Sequence, residues 1–468
     1  MTEKRKRKLA MPDTLIIVAS VVLLVAILSW IIPSGTYDYQ EMDINGRVRN
    51  VAIDGTYHTI DKTEVTTTGF LGFFSVLYRG CVEAADVIFM ILCCCGTFGV
   101  VVKTGAFHAG IGTILKKLKG KEILLVPIIM LIFGLGGSVF GMASEFYGFY
   151  PLIVGLGVAL GYDAMFGFAI IAVGEFVGFM GATLNPYSVG IAQTISGVEL
   201  YSGTGYRAIC FSIFMLISIV YVMLYGRKIK KNPGASVVFG EKNIHAFDRD
   251  ELNEYSFTLK DGLVLLDVLV VLVVLMLGLI KWGWDFPQLC GLFLLMSMIA
   301  AAICKWSPNK WCSEFIDSAK TAMWGCILTG IAKAITVVMQ DAQIMDTVIY
   351  GLSNVLKNAP HAVSAQVMLV VQTLINFFIP SATGQASATM PIMAQLADII
   401  GVSRQTAVLA FQFGDGLSNI FWPTADIVII CGLGGISLQK WYKWFTPLFL
   451  ILFVTQAILL GIATGIGF

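Results

Sequence analysis

The sequence is poor in the residues from which most soluble catalytic and metal sites are built. Only 13% of its 468 residues are charged, and none of its ten cysteines falls in a CxxC pair. Its four histidines are scattered, at His58, His108, His245 and His361. Because a zinc site or a disulfide framework needs convergent spacing, the cysteines are interpreted as small buried hydrophobes. The sequence also lacks a P-loop and a dinucleotide-binding fingerprint, which argues against an ATP-driven pump and a redox enzyme.

Long apolar runs dominate what is present. Hydrophobic residues make up 57% of the chain, and repeated runs of about 20 apolar residues are typical of a polytopic helical membrane protein. The first run, Thr14 to Ile32, follows a basic cluster at Lys4 to Lys8. It is long for the core of a signal peptide and lacks a clear small-residue cleavage site. We therefore interpret it as a retained first span.

Basic clusters set the predicted topology. The positive-inside rule places Lys4 to Lys8 in the cytoplasm, so the first span exits near Pro33. The segment Ser34 to Gly69 is net acidic and is predicted to be an external loop. A second span, about Cys81 to Val102, returns to the cytoplasm, and Arg227 to Lys231 opens a polar cytoplasmic linker.

The region between Lys121 and Arg227 contains four apolar segments, and the first two are short. An even number of crossings keeps both flanking basic clusters in the cytoplasm. A re-entrant hairpin over residues 122–160 followed by two crossings meets this condition. Four complete spans also meet it, but two of them would be too short for about 30 Å of hydrocarbon.

An internal repeat relates the two halves of the chain. Pro151 and Pro391 lie 240 positions apart (391 minus 151), and the same offset lays Gly161 on Gly401. It also lays Gly174-Glu175 on Gly414-Asp415. With a gap of three residues, Asn185-Pro186 meets the WPT at Trp422 to Thr424.

The repeat explains why polar, helix-breaking residues interrupt apolar runs. The stretches Val139 to Pro151 and Phe378 to Pro391 are predicted to be hairpin tips, with Pro186 and Pro423 marking interrupted helices downstream. Lysines at Lys305, Lys310 and Lys320 place the start of the second unit in the cytoplasm, whereas the first unit starts outside, so the repeats are predicted to be inverted. Paired hairpins and discontinuous helices in inverted repeats are typical of secondary transporters that bind substrate near the bilayer midplane.

The predicted fold class is an all-α polytopic membrane protein, which the repeat divides into five parts. Residues 1–70 hold the basic N-terminus, the first span and the external loop, and residues 71–228 form repeat 1, with a hairpin at 122–160 and a broken helix near 185. Residues 229–260 form the linker and residues 261–305 the scaffold spans. Residues 306–468 form repeat 2, with a hairpin at 363–400 and a broken helix near 423.

Several motifs resemble those of a known family. AMPDT (from Ala10), GGSVFGM (from Gly136), LNP with VGIAQ (from Leu184), NFFIPSATGQASATMP (from Asn376) and AFQFGDGLSNI (from Ala410) resemble the YfcC-like transporters. These belong with the DcuC-type C4-dicarboxylate carriers in the ion transporter superfamily. The resemblance implies a scaffold domain and a moving transport domain that work as an elevator, in a homodimer. It leaves the substrate open between a basic amino acid and a dicarboxylate.

Candidate site residues lie at the predicted tips and breaks. They supply hydroxyls, amides, carboxylates or close backbone approach: Gly136, Gly137, Ser138, Gly141, Glu145, Thr183, Asn185, Ser381, Thr383, Gly384, Gln385, Ser387, Asp415, Ser418, Asn419 and Thr424. Helix-packing polarity is the alternative interpretation. Glu175, Asp415 and Asp426 are candidate coupling acids because ionisable groups inside the membrane are costly. Lys333 could neutralise one of them or extend to the interface.

The sequence therefore predicts a secondary active transporter for a small carboxylate-bearing solute, and not an enzyme. An excess of acids over bases near the site favours an amino acid, with a basic one such as arginine or ornithine in antiport. A C4-dicarboxylate is the alternative, and a membrane-embedded enzyme or a channel is more remote. We expect Na⁺ or H⁺ as coupling ion, with no other cofactor, no metal beyond sodium and no nucleic-acid partner. The expected location is the cytoplasmic membrane, with the N-terminus inside and the C-terminus outside.

Overall fold

Helices form nearly all of the secondary structure in the computed structural model, which describes residues 13–44, 47–118, 122–241, 245, 257–357 and 363–468. Among these residues, seven helices are long and apolar enough to cross a membrane. The prediction of a helical multi-pass membrane protein is confirmed. The basic cluster Lys4 to Lys8, the end of the cluster at Lys116 to Lys121 and most of residues 242–256 lie outside the described residues.

The helices of the two halves follow the same order. The first nine are α1 (Thr14–Ile31), α2 (Phe70–Glu83), α3 (Ala85–Lys103), α4 (Ala106–Leu118), α5 (Leu125–Leu135), α6 (Phe149–Ala159), α7 (Ala164–Met180), α8 (Val189–Ile195) and α9 (Thr204–Lys231). They are followed by α10 (Leu259–Lys281), α11 (Phe286–Ile303), α12 (Pro308–Lys320), α13 (Met323–Asp341), α14 (Met345–Lys357), α15 (Ser364–Phe378), α16 (Ala382–Ile399), α17 (Arg404–Ser418), α18 (Asp426–Gly434) and α19 (Leu438–Ile466). The second predicted span begins at Ala85 rather than Cys81, because α2 and α3 are separate helices that meet at Ala84.

Local residue chemistry sets matching helix boundaries in the two halves. Asp163 caps α7 by accepting from the Phe166 N–H at 2.7 Å, and Ser403 caps α17 by accepting from the Thr406 N–H at 3.0 Å. Such side chains satisfy the free N–H groups of a first helical turn. The turns just before them contain Gly161 with φ +81° and Gly401 with φ +71°. Glycine adopts this left-handed backbone without strain.

The short helices favour the hairpin interpretation over four complete spans. α5 and α6 have 11 residues each, which at about 1.5 Å per residue is roughly half of a hydrocarbon core. Both pack against α7, and in the other half α15 and α16 both pack against α17. We call α5–α6 hairpin 1 and α15–α16 hairpin 2.

The helices α7 and α17 pack against each other at the centre, where the Gln412 Nε2 donates to the Phe179 carbonyl at 2.7 Å. The helix α7 begins near the start of α19, whereas α17 begins near the end of α19. The cap of α7, Asp163, accepts from Ser236 of the linker, and Lys440 at the start of α19 also contacts the linker. The first turn of α17 contacts Phe468, just beyond the end of α19.

A second antiparallel contact joins α2 and α3 to α13 and α12. An ion pair lies at each end of this contact. The Arg79 Nη1 is 2.5 Å from the Asp341 Oδ2, and the Lys103 Nζ is 2.6 Å from the Glu314 Oε2. Gly80 lets the backbones approach closely, since a Cβ there would lie 2.3 Å from the Gly330 carbonyl oxygen. This contact holds the first long helices of the two halves together.

The segment Ser34 to Ile60, predicted only as a loop, forms four strands and is here called the β segment. Strand β1 (Ser34–Thr36) pairs with β4 (His58–Ile60), and β2 (Tyr39–Ile44) pairs with β3 (Arg47–Ala52), both antiparallel. The Asp346 carboxylate on α14 fixes the segment by accepting from the Tyr37 N–H at 3.0 Å and the Tyr39 hydroxyl at 2.8 Å. Strand β3 then reaches hairpin 2 by packing against α16.

Candidate functional site

The tips of the two hairpins meet at a cavity of about 380 Å³. Gly141, Ala143, Ser144 and Glu145 line it from hairpin 1, and Ser381, Ala382 and Thr383 line it from hairpin 2. Tyr187 lines it between the two tips. The facing wall comes from the β segment, through Arg49, and from the α10–α11 region, through Leu279, Trp284, Asp285, Phe286 and Leu289.

A larger cavity, of about 490 Å³, lies between the α6–α7 turn and the linker and is lined by Tyr162, Lys230 and Phe239. None of the residues that line it belongs to a hairpin tip. We assign the candidate site to the smaller cavity because both tips and the interruption of α7 converge there.

The tip of hairpin 1 rests on the end of α7. Residues 136–140 form a single π turn, and Gly141 follows with φ +69°. A Cβ on Gly141 would lie 2.3 Å from the Asn185 Oδ1, and one on Gly137 would lie 2.6 Å from the Glu175 carbonyl oxygen. A Cβ on Gly136 would clash with the Phe146 ring at 2.4 Å. These glycines are required by the close packing.

The interruption of α7 runs from its end at Met180 to the start of α8 at Val189, and Pro186 lies within it. Thr183 donates its N–H to the Ser138 carbonyl at 2.9 Å, and the two hydroxyls are 3.1 Å apart. Asn185 accepts from the Tyr187 N–H at 2.9 Å and is fully buried. The predicted residues of this half are therefore brought together, chiefly by backbone contacts.

Hairpin 2 contributes the amino end of α16 to the cavity. Ser381 caps this helix by accepting from the Gly384 N–H at 3.3 Å. Thr383 donates to the Tyr187 carbonyl at 2.9 Å, which ties hairpin 2 to the interruption of α7. Gly384 does not provide the close backbone approach expected from the sequence, since a Cβ there would meet only ordinary contacts, the nearest at 3.4 Å.

Two predicted residues of hairpin 2 point elsewhere. Gln385 is buried between the arms of the hairpin, where its Nε2 donates to the Gln372 Oε1 at 2.7 Å. Ser387 donates to the Thr383 carbonyl within its own helix. Neither residue lines the cavity. Gln385 therefore holds the hairpin arms together.

A polar network lies at the interruption of α17, the segment from Asn419 to Ala425 that contains Pro423. The Asn376 Nδ2 lies 2.7 Å from the Asp415 carbonyl oxygen, 2.8 Å from the Ser418 Oγ and 3.0 Å from the Asn419 Oδ1. Thr424 donates to the Phe377 carbonyl at 2.7 Å. Within the described part of the chain, the Asp415 Oδ2 and the Asn376 Oδ1 are buried without a hydrogen-bond partner.

The other two candidate coupling acids accept hydrogen bonds from tyrosines. The Tyr150 hydroxyl donates to the Glu175 Oε2 at 2.8 Å, and the Tyr147 hydroxyl donates to Asp426 at 2.7 Å. Within the described part of the chain, the Glu175 Oε1 is buried without a hydrogen-bond partner, as the Asp415 Oδ2 is. Among the described residues, Lys333 forms no ion pair with these acids or with Asp415. Neutralisation by Lys333 is therefore not the arrangement seen.

Oxygen donors suit a sodium ion at the α17 interruption. The described residues contain no group of three or more His, Cys, Asp or Glu side chains that could hold a metal. Sodium, a hard cation, is instead bound by carbonyl, amide and carboxylate oxygens, and Asp415, Asn376 and Asn419 present these here. The donor set at this interruption therefore fits the ion that the sequence suggested.

Arg49, Asp285 and Asn376 are among the polar residues that sequence reasoning missed. Arg49 and Asp285 belong to segments far from both repeats, so no periodicity connects them to the hairpins. Asn376 could have been found, because an asparagine near the end of an apolar helix is costly to bury unless it has partners.

A multi-pass helical fold with a cavity between two interrupted halves is typical of a membrane transporter, which takes a small-molecule substrate and works in a lipid bilayer. The chain belongs to the DcuC family, whose description is C4-dicarboxylate anaerobic carrier and whose model matches residues 11–465. The family and its named relative are transporters or antiporters and not enzymes.

Two relatives match nearly the whole chain. One, from Escherichia coli (strain K12), carries the name "Putative basic amino acid antiporter YfcC" and is 32% identical over 99% of this chain and 98% of that protein. The other, an uncharacterized protein of Haemophilus influenzae, is 27% identical over 99% of both chains.

Solved transporter structures align at lower similarity. The YdaH transporter of Alcanivorax borkumensis has 15% identity and a TM-score of 0.44, covering 98% of this chain and 99% of that one. MtrF of Neisseria gonorrhoeae, described as one of a class of antimetabolite efflux pumps, has 15% identity and a TM-score of 0.43, covering 97% and 96%.

Proposed function

We propose that this protein is a secondary active antiporter for basic amino acids such as arginine and ornithine. The observation that supports this substrate is the set of charges lining the cavity, which are the Arg49 guanidinium and the Glu145 and Asp285 carboxylates. A basic amino acid carries one carboxylate and two cationic groups at neutral pH. Each charge on the solute then has an opposite charge on the wall, and complementary charges favour the correct partner.

The hairpins add donors for the solute carboxylate. The amino end of α16 opens on the cavity through Ser381 and Thr383. A helix amino end carries partial positive charge and free N–H groups, so it attracts anions. The carboxylate of the amino acid is thus proposed to lie between this helix end and Arg49, with its cationic groups toward Glu145 and Asp285.

Coupling is proposed to use sodium at the α17 interruption, with a proton as the alternative ion. The unpartnered Asp415 Oδ2 and Asn376 Oδ1 support a cation there, because a buried unpaired carboxylate is costly. A proton could instead be carried by Glu175 or Asp426, whose partners are tyrosine hydroxyls. Sodium and solute binding would favour each other through a coupling free energy.

Alternating access is proposed to follow an elevator motion of inverted repeats. The opposite starting ends of α7 and α17 and the equivalent packing of the two hairpins support inversion. The moving half would contain the hairpins with α7 and α17, and the static half would contain α2, α3, α10, α11, α12 and α13. In this proposal the linker is cytoplasmic and the β segment is external, in a homodimer of the inner membrane.

A C4-dicarboxylate carrier is the second candidate, favoured by the description of the family. Two carboxylates on such a solute would face Glu145 and Asp285, with Arg49 as the only base lining the described cavity. We therefore rank this candidate below the basic amino acid.

Uptake into proteoliposomes tests the proposal. We expect labelled arginine and ornithine to enter vesicles preloaded with unlabelled arginine, with little entry of aspartate or succinate, because only a basic solute matches all three wall charges. Inward sodium and proton gradients, applied separately, identify the coupling ion. Uptake of succinate alone would replace the proposal with the dicarboxylate carrier, and ohmic conductance without exchange would indicate a channel.

A further inference from the structure

We infer that Arg49 and Asp285 select the solute on one face of the membrane only, the face covered by the β segment. This inference rests on the proposed alternating access of the hairpin tips. The cavity is lined from two bodies, because Glu145, Ser381 and Thr383 lie on the hairpins whereas Arg49 and Asp285 do not. A charged residue on the moving half contacts the solute on both faces of the membrane, whereas one on the static half contacts it on one face only.

Arg49 lies on the β segment, which is fastened at its base to the static half and packs along β3 against hairpin 2. The β segment is fastened to the α13–α14 connection, where the Ser34 hydroxyl donates to the Ala342 carbonyl at 2.7 Å and the Gly35 N–H donates to the Gln343 carbonyl at 2.9 Å. Asp346 adds the bonds from Tyr37 and Tyr39. Together these contacts fix the base of the segment beside the α2–α13 contact.

Asp285 is also held by the static half. It caps α11 by accepting from the Phe286 N–H at 3.0 Å, and α11 packs against α3. The helix α3 in turn packs against α12 and is tied to it by the Lys103–Glu314 ion pair. In this inference the β segment stays with the α13–α14 connection, so a displacement of the hairpins breaks the contact of β3 with α16 and leaves Arg49 and Asp285 behind.

The opposite face offers no equivalent pair of charges among the described residues. There a cavity of about 290 Å³ separates hairpin 1, at Pro151 and Leu152, from α3 and α12. Lys103 lines it and forms an ion pair with Glu314. His245 also lines it, and burial lowers the pKa of this histidine to about 4, so its ring is neutral at pH 7. A solute carried to this face keeps its contacts with Glu145 and the α16 end but loses Arg49 and Asp285.

Sided kinetics test the inference. We would measure the KM for arginine separately on each face, using vesicles of known orientation, for Arg49→Gln and Asp285→Asn. Each variant is expected to raise the KM on the β-segment face by about tenfold and to leave the KM on the linker face within about twofold of the wild type. Asp285→Asn keeps an oxygen that can cap α11, so its fold is maintained.

Matched variants separate selection from structure. Asn50→Ala lies next to Arg49 on β3, where alternate side chains point to opposite faces, and is exposed. It is expected to leave both KM values unchanged, whereas Arg49→Lys, which keeps the charge, is expected to be milder than Arg49→Gln. Equal KM shifts on both faces, or no shift on either, would overturn the inference.

The experiment gives a different result if the protein does not transport the proposed substrate. If the wild type carries succinate and not arginine, the same variants are measured with succinate. Arg49→Gln should then raise the KM and Asp285→Asn should lower it, again on the β-segment face alone. A symmetric effect with succinate would overturn the inference as well.

Discussion

Asp415→Asn is expected to abolish the stimulation of transport by sodium and to lower kcat/KM for the solute by about 100-fold, equivalent to roughly 2.7 kcal/mol. Asp415 is fully buried, and its Oδ2 has no partner among the described residues. An asparagine would remove the negative charge and place N–H donors beside the donor amide of Asn376. The site would then lose both the charge and the oxygen needed to hold a cation.

The equivalent acid of the other half provides the comparison. Glu175→Gln removes a carboxylate whose Oε2 accepts from Tyr150 and whose Oε1 has no partner among the described residues. The hydrogen bond to Glu175 comes from a tyrosine hydroxyl, whereas Asp415 lies beside the amides of Asn376 and Asn419. We expect it to leave sodium stimulation intact and to affect only transport driven by a proton gradient. Measurement of initial rates at varied sodium and varied pH distinguishes the two. Wild-type sodium dependence in Asp415→Asn would rule out this cation site.

Gly178→Ala is expected to destabilise the protein by roughly 3 kcal/mol, as overpacking of a filled core does, and to abolish transport. A Cβ at this position in α7 would lie 2.1 Å from the Gly134 carbonyl oxygen of α5, which is backbone and cannot rotate away. Hairpin 1 would have to move off α7. The tip at Gly137 and Ser138 would then lose its contacts with Thr183.

Thermal unfolding in detergent, followed by tryptophan fluorescence, measures this effect. Gly205→Ala is the matched control, because Gly205 is an exposed helical glycine of α9 and a methyl group added to it would meet nothing within 4 Å. The control is expected to be neutral or to stabilise by up to about 1 kcal/mol, since alanine favours helix. Equal melting temperatures for Gly178→Ala and the wild type would show that α5 and α7 do not pack in this way.

The parts of the fold that local chemistry dictates were predictable. Pro186 and Pro423 each remove a helical N–H, and Gly161 and Gly401 permit the turns that follow the hairpins. Proline alone did not mark the interruptions, since Pro391 and Pro447 lie inside α16 and α19; it was the match between the two halves that indicated them. The short runs around Gly136 could not span a bilayer, which made a hairpin the simpler interpretation.

The parts that depend on tertiary contacts were not predictable. The β segment forms in a polar stretch whose strands are fixed by Asp346, a residue some 300 positions away, with separations of 307 to 310. Gln385 appeared to be a ligand because it is polar in an apolar run, but that run has two faces, and Gln385 lies on the one turned to Gln372. Periodicity does not reveal which face meets a cavity.

The contact between α7 and α17 also constrains how the chain is made. The Phe179 carbonyl receives its bond from Gln412, a residue synthesised 233 positions later. At about 5–20 residues per second, the end of α7 must persist in the membrane for roughly 10 to 50 seconds before that partner arrives. During this interval the N-terminal half carries a backbone carbonyl whose side-chain partner has not yet been made.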